Sequence, residues 1–347
     1  MVSPRLSRAL MDGDVTLAGS GRIGVFNPGM EADLSALPRA RLHLIQRFRP
    51  DHDVLRTQGF DVAHSPAGRY AAAIVCLPRA RALGQALIAE AVTHCDGDII
   101  VDGQKTDGID AMLRACRARA DVDLTVARAH GKLLRFPAQG AGMQDWAARA
   151  TTVSGGYRTM PGVFSADGPD PASRLLAEEI SGRLTGRVAD LGAGWGYLAA
   201  QILRQDDVTS LELVEADHTA LDCARHNAAD PRARFHWADA TDFETEAPLD
   251  AVVMNPPFHP SRKADPALGI AFVETAARNL GPHGVLWMVA NRHLPYAPAL
   301  DARFHEVTER LASSGFRVYR AARPRAQRGS AVPPPDGRRH PARSSRR

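Results

Sequence analysis

From Gly21 onward, two textures of apolar and polar positions alternate along this chain. Short unbroken apolar runs mark strands buried on both faces. Between them lie longer stretches with apolar residues three and four apart, the spacing of helices packed on one side. The runs at 22–26, 42–45, 70–76, 98–101, 123–127 and 132–135 predict strands, with a helix over 80–93. A Gly/Ser-rich stretch near 138–162 interrupts the pattern, and residues 1–20 read as a helix or arm. The pattern then restarts with helix 171–182 and strands 187–191, 210–214, 233–237, 250–254, 284–290 and 316–320. Helices are expected at 196–205, 217–228 and 267–280. Strands alternating with helices predict an α/β architecture of parallel sheets covered on both faces.

The second half repeats the first. GRIGVFNPG (21–29) matches GRVADLGAG (186–194) at a spacing of 165, and AIVCLPR (73–79) matches VVMNPPF (252–258) at 178 or 179. We read this as an internal duplication of one α/β domain. At 347 residues the chain is also long for a single core. The division expected is 1–150, 151–322 and a tail from 323 to 347. The first copy reads as degenerate, a scaffold or substrate-binding domain. Asn27 and Pro28 stand where the second half has Gly192 and Ala193, and Leu77 stands near the place of Asn255.

Composition changes this picture little. Hydrophobic content of 44% and charged content of 24% are those of an ordinary globular protein. The net charge of +4 is uneven: Arg320 to Arg347 holds nine arginines against one acid, Asp336, so residues 1–319 carry −4. The tail, Arg- and Pro-rich with few apolar residues, is expected to be disordered. Cys76, Cys95, Cys116 and Cys223 show no CxxC or metal-ligand spacing and predict reduced thiols, no metal and a cytoplasmic location. No apolar stretch is long enough to span a membrane.

The chemistry gathers at strand ends of the second half. Asp190-Leu191-Gly192-Ala193-Gly194-Trp195-Gly196 closes a strand and opens a helix, and its glycines let backbone N–H groups approach a ligand. Glu215 ends the next strand, 23 residues after Gly192, where a carboxylate suits the two hydroxyls of a ribose. Asp239, at the third strand end, falls within reach of an adenine amino group, with Asp217 and Asp242 as rivals. After the fourth strand comes Asn255-Pro256-Pro257-Phe258. Two prolines end the sheet there and leave an amide, carbonyls and an aromatic ring facing a crevice. That set accepts hydrogen bonds from an amino group and stacks on a flat ring.

VADLGAGWG, LVEAD, ADA and NPPF, in this order, resemble the class I S-adenosylmethionine-dependent methyltransferases that modify amino groups of bases or glutamine. With PGVFSADGPDPASRLLAEEI (161–180), VANRHLPYAPALDARFHEV (289–307) and FRVYRA (316–321), residues 155–322 resemble the bacterial 16S rRNA guanine-N2 methyltransferases. One departure is Ala172-Ser173, where that family usually shows Gly-Ser.

The resemblance implies two tandem Rossmann-like domains, S-adenosylmethionine as cofactor, and 16S rRNA within the 30S subunit as partner of a monomer. It also implies cofactor-binding roles for Asp190, Gly192, Ala193, Gly194, Gly196, Glu215 and Asp239. Asn255, Pro256 and Phe258 would act on the guanine, with Pro257 beside it. Phe164, Ser165 and Tyr296 either wall the pocket or pack in the core, and His259 packs after Phe258. The alternatives are a 23S rRNA guanine-N2 enzyme, methylation of a glutamine or adenine, and an RNA-binding assembly protein with a vestigial pocket.

Overall fold

Unbroken apolar runs pair where both their faces can be covered, in the middle of a sheet. The computed structural model describes residues 4–17, 19–257, 266–313 and 315–325. Its first half holds β1 (Ile23–Phe26), β2 (Leu42–Ile45), β3 (Val62–Ala63), β4 (Tyr70–Cys76), β5 (Cys95–Gln104), β6 (Leu124–Arg128) and β7 (Gly131–Pro137). Around them lie α1 (Pro4–Met11), α2 (Arg49–Thr57), α3 (Arg81–His94) and α4 (Ile109–Arg117). A small hairpin follows, β8 (Thr151–Val153) with β9 (Tyr157–Thr159).

The second half holds β10 (Gly186–Leu191), β11 (Val208–Glu215), β12 (Ala233–Trp237), β13 (Leu249–Met254), β14 (Leu280–Asn291), β15 (Phe304–Ser313) and β16 (Phe316–Pro324). Its helices are α5 (Pro171–Ile180), α6 (Tyr197–Ile202), α7 (His218–Asn227), α8 (Pro266–Asn279) and α9 (Ala297–Arg303).

The two seven-stranded sheets run β3-β2-β1-β4-β5-β7-β6 and β12-β11-β10-β13-β14-β16-β15. Counted from its own first strand, each has the same order, 3-2-1-4-5-7-6, with an antiparallel last pair. The repeat seen in the sequence is therefore a repeat of topology. In each sheet the strand order reverses at the first strand, which opens a crevice at the carboxyl edge.

Register fixes the counterparts. Phe26 pairs with Ile45 and Val75, as Leu191 pairs with Val214 and Met254. Asn27 then corresponds to Gly192, Gln46 to Glu215, and Cys76 (rather than Leu77) to Asn255. In the first copy these positions bond to their own backbone. Asn27 Nδ2 donates to the Cys76 carbonyl at 3.1 Å, and Gln46 Nε2 donates to the Pro28 carbonyl at 2.7 Å. The first copy thus keeps the topology but has Gln46 where the second has Glu215 and Cys76 where it has Asn255.

The copies meet through their second-strand turns, and the contact is reciprocal. Arg49 N–H donates to the Ala216 carbonyl at 2.8 Å, and His218 N–H donates to the Arg47 carbonyl at 2.9 Å. Val214 stands to Ile45 at an offset of 169 residues, and the same offset takes Arg49 to His218 and Arg47 to Ala216, so it turns one of these bonds into the other. Side chains follow: the Arg49 guanidinium lies over Trp237 at 4.8 Å, while His64 stacks on His218 at 4.0 Å. The junction has the self-complementary form of a two-fold interface within one chain.

Arg5 of α1 is buried against Asp102 at 2.7 Å and donates to the Arg128 and Gly103 carbonyls, which pins the N-terminal helix to the first sheet. All four cysteines are free and buried, and burial pushes the Cys76 and Cys116 thiols up to about 12. Among the described residues no helix is long and apolar enough to cross a membrane, and no cluster of metal-ligating side chains occurs. The expected disorder of the tail concerns residues that, from 326 onward, lie outside those described.

Candidate functional site

Four strand ends of the second sheet, β10, β11, β12 and β13, border one cavity of about 510 Å³. Phe164, Gly192, Gly194, Glu215, Asp239, Asn255, Pro256 and Pro257 line it, so eight of the residues singled out in the sequence come together here. A smaller lobe of about 40 Å³ shares Gly192, Gly194 and Asn255 and adds Ala193, Ser165, Asp170 and Ser173.

The glycine turn is built from left-handed backbone that side chains resist. Gly192, Gly194 and Gly196 have φ of +74°, +55° and +88°. At Gly196 a Cβ would also come within 3.0 Å of Ala224, so this glycine lets α6 start against α7. Glu215 holds the turn from the neighbouring strand. Its Oε2 accepts from the Gly194 N–H at 2.7 Å and its Oε1 from the Asp217 N–H at 2.8 Å. Asp217 is occupied as the N-cap of α7, accepting from Thr219 N–H at 2.7 Å. Asp239 accepts from the Thr241 N–H and hydroxyl through Oδ1, which fixes the carboxylate on the cavity wall. Asp242 is not on that wall.

Asp190 is the electrostatic anomaly. It is fully buried, and no donor makes a well-formed hydrogen bond to either carboxylate oxygen, with only the Ala199 backbone N–H near enough to favour the ionised form. Burial, with the Glu215 carboxylate nearby, pushes its carboxyl up to about 7. Burial likewise pushes the Glu215 carboxyl up to about 7, against the hydrogen bonds it accepts. Two under-compensated carboxyls at a glycine turn suit a cationic ligand.

Asn255 is held by groups the sequence did not reveal. Its Nδ2 donates to Asp170 Oδ2 at 3.0 Å and to Ser173 Oγ at 2.8 Å. A carboxylate only accepts, so Asp170 fixes which way the amide faces. The Asn255 Oδ1 is left buried without a partner. A buried acceptor with no donor is costly unless a ligand supplies one. Asp170 also caps α5 through the Ser173 N–H at 2.9 Å. Asp170→Ala is therefore expected to lower kcat about ten- to hundred-fold through misplacement of the amide, with cofactor affinity unchanged in calorimetry.

The remaining candidates divide. Phe164 is 63% exposed and borders both lobes, and its carbonyl accepts from Trp195 Nε1 at 2.9 Å. Ser165 borders the small lobe with φ of +50° and donates to the Gly168 carbonyl. Tyr296 is not on either wall. It is fully buried in the core with Phe272 and Met254, in the space left by the missing side chain of Gly269 on α8. Core packing, the second reading offered for it, is what the structure shows. Phe258 and His259 lie outside the described residues. Two wall residues, Phe48 and Pro50, come from the first copy.

Residues 155–320 match the methyltransferase small domain family. The ribosomal RNA small subunit methyltransferase C of Shewanella oneidensis is 30% identical over 264 residues, 72% of this chain and 77% of that protein. Its namesake in Cronobacter sakazakii is 33% identical over 233 residues, 65% of this chain and 67% of that protein. A solved T. thermophilus 16S rRNA N2 methyltransferase, in complex with AdoMet and guanosine, covers 92% of each chain at 26% identity with a TM-score of 0.76. Fold and site thus define a class I methyltransferase. Within that class, this chain belongs to the ribosomal RNA small subunit methyltransferase C family. The large-subunit, glutamine and adenine alternatives do not describe that family.

Proposed function

We propose that this protein transfers a methyl group from S-adenosylmethionine to the exocyclic N2 amino group of a guanine in 16S rRNA, with the small ribosomal subunit as its partner. The observation that carries this reading is the Asn255 Oδ1, a buried acceptor fixed in direction by Asp170 and left for an amino group to fill. The cavity fits the cofactor by its donor set: backbone at Gly192 and Gly194, Glu215 for the ribose and Asp239 for the adenine. Asp190 and Glu215 add negative charge that favours a cation. When bound, the cofactor supplies an electrophilic methyl group.

The residues of this chain do the rest. A guanine amino group is a poor nucleophile because its lone pair is delocalised into the ring. Hydrogen bonds from that amine to Asn255 Oδ1 and to the Pro256 carbonyl favour a pyramidal nitrogen and direct its lone pair. Holding reactants in such geometry lowers barriers by about 7–11 kcal/mol. The amine becomes acidic as it is alkylated, so its proton leaves late and no histidine base is needed. Phe164, exposed at the mouth, offers a face for a base removed from its stack.

Nucleoside mass mapping of 16S rRNA tests the proposal. A strain lacking this protein should carry one guanine without its methyl group, and the wild-type chain, but not Asn255→Ala, should restore it. An unchanged map in the deletion strain would remove the function.

A further inference from the structure

The cofactor cavity is not made by the second copy alone. Phe48 and Pro50 of the first copy stand on its wall beside Glu215, Ala216 and Asp239. Phe48 is one of the few large apolar side chains left exposed, at 45%. It forms an antiparallel bridge with Asp217, two residues beyond the carboxylate assigned to the ribose. An aromatic ring at that end of the cavity adjoins the groups assigned to the adenosine.

The segment that carries Phe48 is fixed by backbone contacts. The reciprocal bonds of Arg49 to Ala216 and of His218 to Arg47 clamp it on both sides. Trp237 Nε1 donates to the carbonyls of Arg47 and Ala216, at 3.1 and 2.8 Å. The Phe48 N–H donates to Gln46 Oε1 at 2.8 Å. Gln46 is the counterpart of Glu215, so the position that would hold a ribose in the first copy there holds the turn that reaches the other copy's cavity.

We propose that the first copy completes the cofactor pocket of the second, with Phe48, backed by Pro50, as the apolar wall against which the adenosine is held. This inference rests on the methyltransferase reading above. The degenerate copy is then a binding element of the working site. A purine presents a flat apolar face to any aromatic ring, and such a face needs no sequence of donors to match it.

Calorimetric titration of the full chain with S-adenosylhomocysteine is the test, beside thermal denaturation of the ligand-free protein. Phe48→Ala should weaken binding about five- to hundred-fold, the range that loss of an aromatic face costs a stacked base. Phe48→Tyr should restore affinity to within about two-fold and Phe48→Leu should fall between, since a stacking face and not mere bulk is at issue. The midpoint of ligand-free Phe48→Ala should stay at the wild-type value, because backbone atoms make the junction. Equal affinity in Phe48→Ala and wild type would overturn this inference and leave the methyltransferase reading standing. Absence of binding by the wild type would overturn both.

Discussion

Asn255→Ala is expected to lower kcat about a hundred- to thousand-fold, the loss seen when one preorganised polar contact to a reacting group is removed. Affinity for S-adenosylhomocysteine should stay close to that of the wild type. The separation follows from the hydrogen bonds. Asn255 Nδ2 is committed to Asp170 and Ser173, while its Oδ1 has no protein partner, so the fold does not use the oxygen that the proposed reaction assigns to the amine. Truncation removes that oxygen and also strips a donor from Asp170, which keeps its capping bond from the Ser173 N–H. Stability should therefore fall only modestly, by about 1 kcal/mol.

Asn255→Asp discriminates further. It keeps an acceptor toward the amine but sets a carboxylate against the carboxylate of Asp170 at hydrogen-bond distance. Like charges so placed raise the affinity for a shared proton. Partial activity in Asn255→Asp that falls as pH rises would support the amide's role as a fixed, neutral acceptor. An unchanged kcat in Asn255→Ala, measured on small subunits isolated from the deletion strain, would remove Asn255 from the chemistry.

Much of this site could be read because its parts are local. The glycine turn, Glu215 and Asn255-Pro256-Pro257 each announce themselves by residue types forced on a strand end. What could not be read depends on the fold. Asp170 and Ser173 lie 85 and 82 residues from Asn255, and nothing near either hints at the other. Pro171, which follows Asp170, sits in the first turn of α5 and points to a helix start, not to Asn255. Phe48 comes from the other half of the chain, and its role depends on a junction between copies that no periodicity encodes. Leu268 and Phe272 reach the cavity from α8 and look like ordinary helix core residues.

The same division holds for the fold. Buried strands such as β4 and β13 were legible as unbroken apolar runs. β3, with two residues, is too short to form a pattern. β15 was missed because it pairs only with β16 and forms the sheet edge, where Glu306, Glu309 and Arg310 are exposed. Charges at an edge discourage further pairing and erase the hydrophobic signal of a strand. α2 is polar along most of its length and buries only His52 and Leu55, so its helical period was weak. The topology shared by the two halves was legible in outline from the paired motifs, while its register, which moves Cys76 into the place of Asn255, required the sheet.

Asp190→Asn is expected to stabilise the ligand-free protein and to weaken it as a cofactor binder. In the folded chain the Asp190 carboxyl is pushed from the ordinary 3.8 up to about 7 by burial, with Glu215 adding repulsion. The unfolded chain therefore ionises first as pH rises. The contribution of this carboxyl to folding stability should be most favourable below about pH 4, fall between there and about pH 7, and level off above. Over that window the ionised, unpartnered carboxylate costs up to about 4 kcal/mol. Asparagine never ionises, so the variant should lack most of this slope, keeping the weaker fall that the raised Glu215 carboxyl contributes in the same direction. At about pH 8 the thermal midpoint of the ligand-free variant should exceed that of the wild type by several degrees. The cofactor reverses the sign. Its sulfonium and ammonium charges favour the ionised carboxylates, so wild-type affinity should rise with pH through about 7, and Asp190→Asn should bind about ten-fold more weakly at high pH. Matched melting curves and titrations across pH measure both halves of the trade. If the variant melts no higher than the wild type at pH about 8, the buried carboxylate is not the source of the strain.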